Sequence, residues 1–211
     1  MASPELVDYY RRRAGEYEAI YAKPERQADL ALLRRHIPDR LRSRRVLEIA
    51  CGTGYWTTLV APAAASVVAT DAGEEPMAIA RAKPYPAGRV RFALADAYAL
   101  DASLGRFDGA LAVFWWSHVP LGRIADFLAS LHARLEPGAR VLLLDNLYVE
   151  GNSTPISEVD TAGNTYQLRT LADGSGFRVL KNFPTKDELR GFFPAVHYRA
   201  LDYYWLAEYK A

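Results

Sequence analysis

Val46-Leu47-Glu48-Ile49-Ala50-Cys51-Gly52-Thr53-Gly54 decides the fold of this 211-residue chain. An apolar run carries one acid, Glu48, and stops at a Gly-x-Gly turn formed by Gly52 and Gly54. Apolar-periodic sequence resumes at Tyr55 and Trp56. This is the pattern of a buried strand that turns sharply into a helix. The turn exposes backbone N–H groups at a helix N-terminus, and glycine there lets a ligand approach the main chain with no Cβ in the way.

Working outward, short apolar runs alternate with helical patterns. Residues 4–36 read as helical: Pro4 and Glu5 suit a helix start, and Pro24 opens a second helix that Pro38 should stop. A helix is expected from Tyr55 to Ala61, a strand at Val67–Asp71, a helix over 75–83 and strands at Val90–Leu94 and Asp108–Phe114. A helix from about Leu121 to Leu135, a turn at Pro137-Gly138 and a strand at Arg140–Leu147 follow. Such alternation implies a doubly wound α/β fold, with a mostly parallel sheet that binds ligands beyond the carboxyl ends of its strands.

The alternation breaks at 150–182. There Thr165–Leu171 and Phe177–Phe183 flank Asp173-Gly174-Ser175-Gly176, which reads as a β-hairpin inserted after the fifth strand. A helix opened by Pro184 and Asp187 and two strands within 196–209 complete a seven-stranded sheet. The expected organisation is one domain over 1–211, with cap helices in 1–40 and the hairpin insert of 150–183 as a lid.

Composition narrows the function. Half of the residues are hydrophobic, 24% are charged and the formal net charge is +1. That balance gives no electrostatic case for nucleic acid or an anionic membrane. Cys51 is the single cysteine, so neither an intrachain disulfide nor a cysteine-rich zinc site is available, and no paired His or His/Asp spacing suggests a metal. No long apolar run or signal-peptide pattern appears, which reads as a cytoplasmic protein. The 13 tyrosines and 4 tryptophans crowd strand ends and helix starts, where aromatic side chains can line a pocket.

The Gly-x-Gly turn fits two nucleotide cofactors. A nicotinamide dinucleotide fingerprint wants a third Gly or Ala where this chain has Thr57, and Glu48 would lie close to a pyrophosphate. The same acid suits a cofactor with a positive amine and no phosphate. Asp71, ending the second strand, can accept both hydroxyls of a ribose, which either cofactor carries. His118 lies in a strand-end loop and could act as a base or simply donate a hydrogen bond. Arg169 and Lys181 fall on the two arms of the hairpin. A three-residue loop at Gly174–Gly176 would set them opposite each other as a grip for an anion, and a one-residue slip would separate them.

The landmarks Glu48-x-x-x-Gly52-x-Gly54, Asp71, Asp96, Phe107-Asp108 and Leu135-x-Pro137-Gly138 resemble those of class I S-adenosylmethionine-dependent methyltransferases. The resemblance implies S-adenosyl-L-methionine as cofactor, with Glu48, Ala50, Gly52, Gly54 and Trp56 around its methionine end. Asp71 and Ala72 would hold its ribose, and Asp96 and Ala97 its adenine. Phe114 would lie in the loop that covers the cofactor, and Tyr10 and Tyr17 in a covering helix like that of small bacterial members. More narrowly, Gly52–Thr57, Ser117–Pro120 and Arg169 through Lys181 resemble a phosphonate O-methyltransferase.

The expected function is methyl transfer to a small-molecule acceptor with an anionic oxygen: phosphonate, phosphate or carboxylate. His118, Arg169 and Lys181 are the candidate catalytic residues, and Tyr21, Trp116, His118, Arg169 and Lys181 the candidate acceptor-binding set. Three alternatives stay open: methylation of a neutral phenol or amine with His118 as base, a non-catalytic cofactor-binding module, and an NAD-dependent oxidoreductase. Nothing in the sequence fixes the oligomeric state.

Overall fold

A computed structural model of the chain describes residues 4–211. Its main sheet holds β1 (Arg45–Ile49), β2 (Ser66–Asp71), β3 (Val90–Leu94), β4 (Phe107–Val113) and β5 (Leu135–Asn146), joined by β9 (His197–Ala200) and β10 (Tyr204–Lys210). The order across the sheet is β3-β2-β1-β4-β5-β10-β9, and only β10 runs against the others. This is the mostly parallel seven-stranded sheet that the strand–helix alternation implies.

Period-two alternation sorts the strand residues onto two faces. Leu47, Ile49, Ala110, Ala112, Val141 and Leu143 pack on one side with Ile124, Phe127 and Leu131 of α5 (Ile124–His132). Val46, Leu111, Leu142 and Leu144 pack on the other with Leu30, Leu33 and Ile37 of α2 (Gln27–Arg40) and Val60 of α3 (Tyr55–Val60). Glu48 shares the parity of Val46 and is therefore buried under α3. α4 (Glu74–Arg81) follows β2, and α6 (Lys186–Phe192) starts at a capping box made by Thr185 and Glu188. Among the described residues no helix is long and apolar enough to cross a membrane.

Three local expectations change. α2 runs through Pro38 to Arg40 instead of stopping there. Proline's fixed φ is helical, so the helix continues through it at the cost of the one bond its N–H would make to the preceding turn. Pro137 and Gly138 lie inside the long β5 and do not form a separate turn; Gly138 adopts φ +77 and its N–H is taken by the carbonyl of Ala211. The inserted hairpin, β7 (Thr165–Thr170) and β8 (Gly176–Leu180), gains a third strand, β6 (Glu158–Val159). Its loop spans Leu171–Ser175, so Arg169 pairs with Phe177, while the N–H of Lys181 bonds the carbonyl of Thr165. The direct Arg169–Lys181 pairing is thereby corrected.

The N-terminal cap is α1 (Pro4–Arg13) followed by a 3-10 stretch, Ala14–Ala22. Leu6 and Tyr9 of α1 pack on Val179 of β8 in a small satellite core, so the cap rests on the hairpin.

Candidate active site

The chain leaves β1 toward β2 and β3, and leaves β4 toward β5 and β10. β1 and β4 are neighbours, so a crevice opens beyond their carboxyl ends. A cavity occupies it. Ala50, Gly52 and Thr53 form its floor after β1, Asp71–Gly73 follow β2, Ala95–Ala97 follow β3, and Val113–Trp115 follow β4. Leu6, Val7, Tyr10, Ala14 and Tyr17 of the cap roof it.

Two non-glycine residues on this wall, Ala50 and Phe114, are held at φ +52 and +56. Left-handed backbone costs an L-residue of order 1–2 kcal/mol, and such strain gathers at functional sites. The two glycines divide the work. Gly52, at φ +55, has nothing within 4 Å of the Cβ it lacks, so its face is open to a ligand. A Cβ on Gly54 would meet the Tyr85 hydroxyl at 2.7 Å and the Ala80 Cβ at 2.8 Å; Gly54 lets α4 approach and does not line the cavity.

Asp71 is anchored by its neighbours. Its Oδ2 accepts the Gly52 N–H at 2.8 Å and its Oδ1 the Gly73 N–H at 2.8 Å. Carboxylate oxygens have acceptor capacity beyond one bond each, which leaves room for two vicinal hydroxyls. Burial pushes its pKa up, against those N–H groups. Ala72, Asp96 and Ala97 also face the cavity. Glu48 does not: it is 2% exposed and accepts a 2.7 Å hydrogen bond from the Thr57 hydroxyl behind the floor. Burial lifts its carboxyl to about 8. The expected direct contact between Glu48 and a cofactor amine is corrected to a buried acid beneath the loop. Trp56 is likewise packed in the core, at 3% exposure.

A second cavity, of about 370 Å³, adjoins the first, and Tyr10, Tyr17 and Phe114 line both. Five basic residues line it, Arg13, Lys23, Arg26, Arg169 and Lys181, and no Asp or Glu. Arg169 donates through Nε and Nη2 to the side-chain Oε1 of Gln167 at 3.2 and 2.7 Å, and its guanidinium lies 5.8 Å from the Tyr9 ring centre. Lys181 donates to Ser117 Oγ at 2.6 Å and to Asp145 Oδ1 at 2.9 Å, both buried. Burial pulls the lysine pKa down while Asp145 supports its charge.

His118 is buried between the two cavities and the hairpin. Its Nδ1 lies 2.6 Å from the Leu180 carbonyl oxygen, which can only accept, so Nδ1 carries the proton. Nε2 lies 2.7 Å from the Tyr10 hydroxyl. Burial, with Lys181 and Arg169 nearby, holds the imidazole pKa well below its ordinary value. The ring is therefore neutral, and Nε2 accepts from the Tyr10 O–H.

Two expected acceptor-binding residues lie elsewhere. Trp116 packs against Phe127, Phe192 and Phe193, and Tyr21 stacks on Tyr55 with ring centres 3.6 Å apart; neither lines either of these two cavities. Both are corrected to core residues. The sequence reading missed Arg13, Arg26 and Asp145. Asp145 had a signal, as an acid ending an apolar strand in the same manner as Asp71. It also missed Glu18, which accepts from Thr53 at 2.7 Å, pairs with Lys83 and so ties the cap to the Gly-x-Gly loop.

Residues 46–138 match the family model of a methyltransferase domain. The DhpI–SAM–HEP complex shares the fold at a TM-score of 0.78 and 29% identity, covering 99% of both chains. Ubiquinone biosynthesis O-methyltransferase of Azotobacter vinelandii is 34% identical over 104 residues, 48% of this chain and 44% of that protein. O-methyltransferase cnsE of Penicillium expansum is 28% identical over 162 residues, 69% of this chain and 56% of that protein. The chain thus spans about half the length of these two relatives.

Proposed function

We propose that this chain, a class I S-adenosylmethionine-dependent methyltransferase, methylates an anionic oxygen of a small acceptor: a phosphonate, phosphate or carboxylate. One observation carries the proposal. The cavity that adjoins the cofactor pocket has only cationic charged residues on its wall, and Tyr10, Tyr17 and Phe114 alone are common to both. The likeness to a structure that holds SAM and HEP together supports a cofactor and a second small molecule in one site.

The residues present fit the cofactor. Gly52 offers open space where a Cβ would intrude, and Asp71 is oriented to receive ribose hydroxyls. Ala50, Gly52, Asp71, Ala72, Asp96 and Ala97 would hold it under Tyr10 and Tyr17. When bound, it supplies an electrophilic methyl group on a sulfonium, which leaves as a neutral thioether. An anionic oxygen is already nucleophilic, so no proton must be removed from it. The chain has to hold that oxygen and exclude water, effects that can supply about 7–11 kcal/mol.

Arg169 is the main anchor, since Gln167 orients its guanidinium without neutralising it. Lys181 keeps a third N–H beyond its two partners. His118 positions Tyr10 and does not act as a base, because its basic nitrogen is already occupied by the Tyr10 hydroxyl.

Steady-state kinetics of Arg169→Ala with alkylphosphonate acceptors test this. The acceptor KM should rise about tenfold or more, with S-adenosylhomocysteine affinity within about twofold of wild type. His118→Ala should lower turnover less than the 10²–10⁴-fold typical of a lost base. An acceptor screen in which only neutral phenols or amines react, and His118→Ala abolishes activity, would overturn the proposal.

A further inference from the structure

Arg26 lines the acceptor cavity but takes no part in the anchoring described above. It closes the short turn Pro24–Arg26 that precedes α2. Its Nη1 donates to Asn146 Oδ1 at 3.1 Å and its Nη2 to Asn152 Oδ1 at 2.7 Å. Both asparagines line the same cavity. Its guanidinium carbon lies 5.2 and 5.5 Å from the ring centres of Tyr203 and Tyr204. Its Nε is buried with no hydrogen-bond partner.

These contacts hold the guanidinium in place and leave its charge intact. Two neutral amides and two aromatic rings fix its plane, where a structural arginine would normally be paired with a carboxylate. Among the described residues no carboxylate forms an ion pair with Arg26, and none does with Arg13 or Arg169. Of the five cations, only Lys181 forms an ion pair with a carboxylate among the described residues, through Asp145; Glu25 feels the charge of Lys23 and Arg26 but is fully exposed and bonded to Asn152 instead. A single oxyanion at Arg169 would leave Arg26 uncompensated in a partly desolvated wall, which is costly. A cavity of about 370 Å³ also has the size of a complete small-molecule site and exceeds a niche for one oxyanion.

Resting on the anionic-acceptor reading, we propose that the acceptor carries two anionic groups. The group that takes the methyl is held at Arg169, and the second is held at Arg26 by its remaining N–H groups, with the ammonium of Lys23 beside it. The substrate class is a small molecule with a phosphonate, phosphate or carboxylate at each of two positions. A molecule with one such group is a weak ligand.

Calorimetry in the presence of S-adenosylhomocysteine tests this with synthetic probes: ω-phosphonocarboxylates of graded chain length, each against the alkylphosphonate of matched length. The best two-anion probe should bind wild type at least about tenfold more tightly than its matched one-anion probe. Arg26→Gln, with its folding checked by thermal unfolding, should bring that ratio to about one and leave the one-anion affinity within about twofold. Arg26→Lys keeps the charge and should retain part of the ratio, so it serves if the glutamine variant unfolds. Arg169→Ala should weaken both probes. A wild-type ratio near one with both probes bound would overturn the second station and leave the anionic acceptor standing. Retention of the full ratio in Arg26→Gln would do the same. No binding of either probe would overturn the anionic-acceptor reading and this proposal with it.

Discussion

Glu48 shows how a sequence landmark can act through burial. Burial beneath α3 raises its carboxyl pKa to about 8, from an ordinary 4.5. The folded state therefore holds a proton that the unfolded chain releases between those values. Stability is full below about 4.5 and is lost as pH rises through 8, because the folded state binds the extra proton. The change is up to about 5 kcal/mol if unopposed. Denaturant unfolding of the ligand-free protein at pH 5 and pH 8 should show this loss, and Glu48→Gln should flatten the profile; a flat wild-type profile would mean an ionised Glu48. Asp71 faces the cavity, and its alanine variant should lose about 2–4 kcal/mol of S-adenosylhomocysteine affinity with the fold intact. Unchanged calorimetric affinity would place the ribose elsewhere. At this scale the legible residues were those whose place follows from a strand end: Gly52, Asp71, Asp96. Tyr21, Trp56 and Trp116 were not legible, because an aromatic ring suits a core and a pocket wall equally. Arg13 and Arg26 belong to no spacing rule; only tertiary contact brings them to the cavity.

The cap and the hairpin meet where α1 lies on β8. α1 rests on β8 through Leu6, Tyr9 and Val179, a cluster far smaller than the two faces of the sheet. Few buried apolar contacts mean a low local opening energy. Val179→Ala should therefore loosen α1 without unfolding the sheet. Hydrogen exchange should speed up over residues 4–13 and S-adenosylhomocysteine should dissociate faster, while β1, β4 and β5 keep their protection. Equal acceleration everywhere would show that the cluster supports the whole fold. β2, β3 and β4 were readable to within a residue, β3 at both ends, whereas β5 starts five residues earlier than its apolar run and α5 is three residues shorter at each end than its pattern. Hairpin register was not, since loop length decides it: a loop of Leu171–Ser175 sets Arg169 against Phe177. Both cations still reach the second cavity, because Lys181 continues past β8 toward Asp145.

For the molecule as a whole, charge is placed unevenly. The formal net charge is only +1, yet five basic residues line one cavity, so the rest of the chain is net negative. A focused positive site in such a surround attracts small anions at a range that salt screens. Raising ionic strength from about 0.02 to 0.5 M should raise the acceptor KM several-fold and leave S-adenosylhomocysteine affinity nearly constant. Equal salt sensitivity of the two would count against acceptor capture by charge. The sheet was readable at this scale because each strand–helix unit carries its own signal. The polarity of the second cavity was not, because its basic residues are scattered along the chain and an overall count conceals them.

Arg13, Lys23, Arg26, Arg169 and Lys181 all lie outside residues 46–138, the stretch that matches the methyltransferase domain. The glycine turn, Asp71 and Asp96 lie inside it. On the proposed reading, the floor of the cofactor cavity and the cations of the acceptor site are thus written in different parts of the gene. On the same reading, point changes at those five cations re-tune the acceptor grip and leave the floor of the cofactor cavity in place, whereas Tyr10 and Tyr17 of the N-terminal segment line both cavities. Descent with a change of acceptor needs no redesign of the sheet, and kinship measured over the middle of the chain says little about what is methylated.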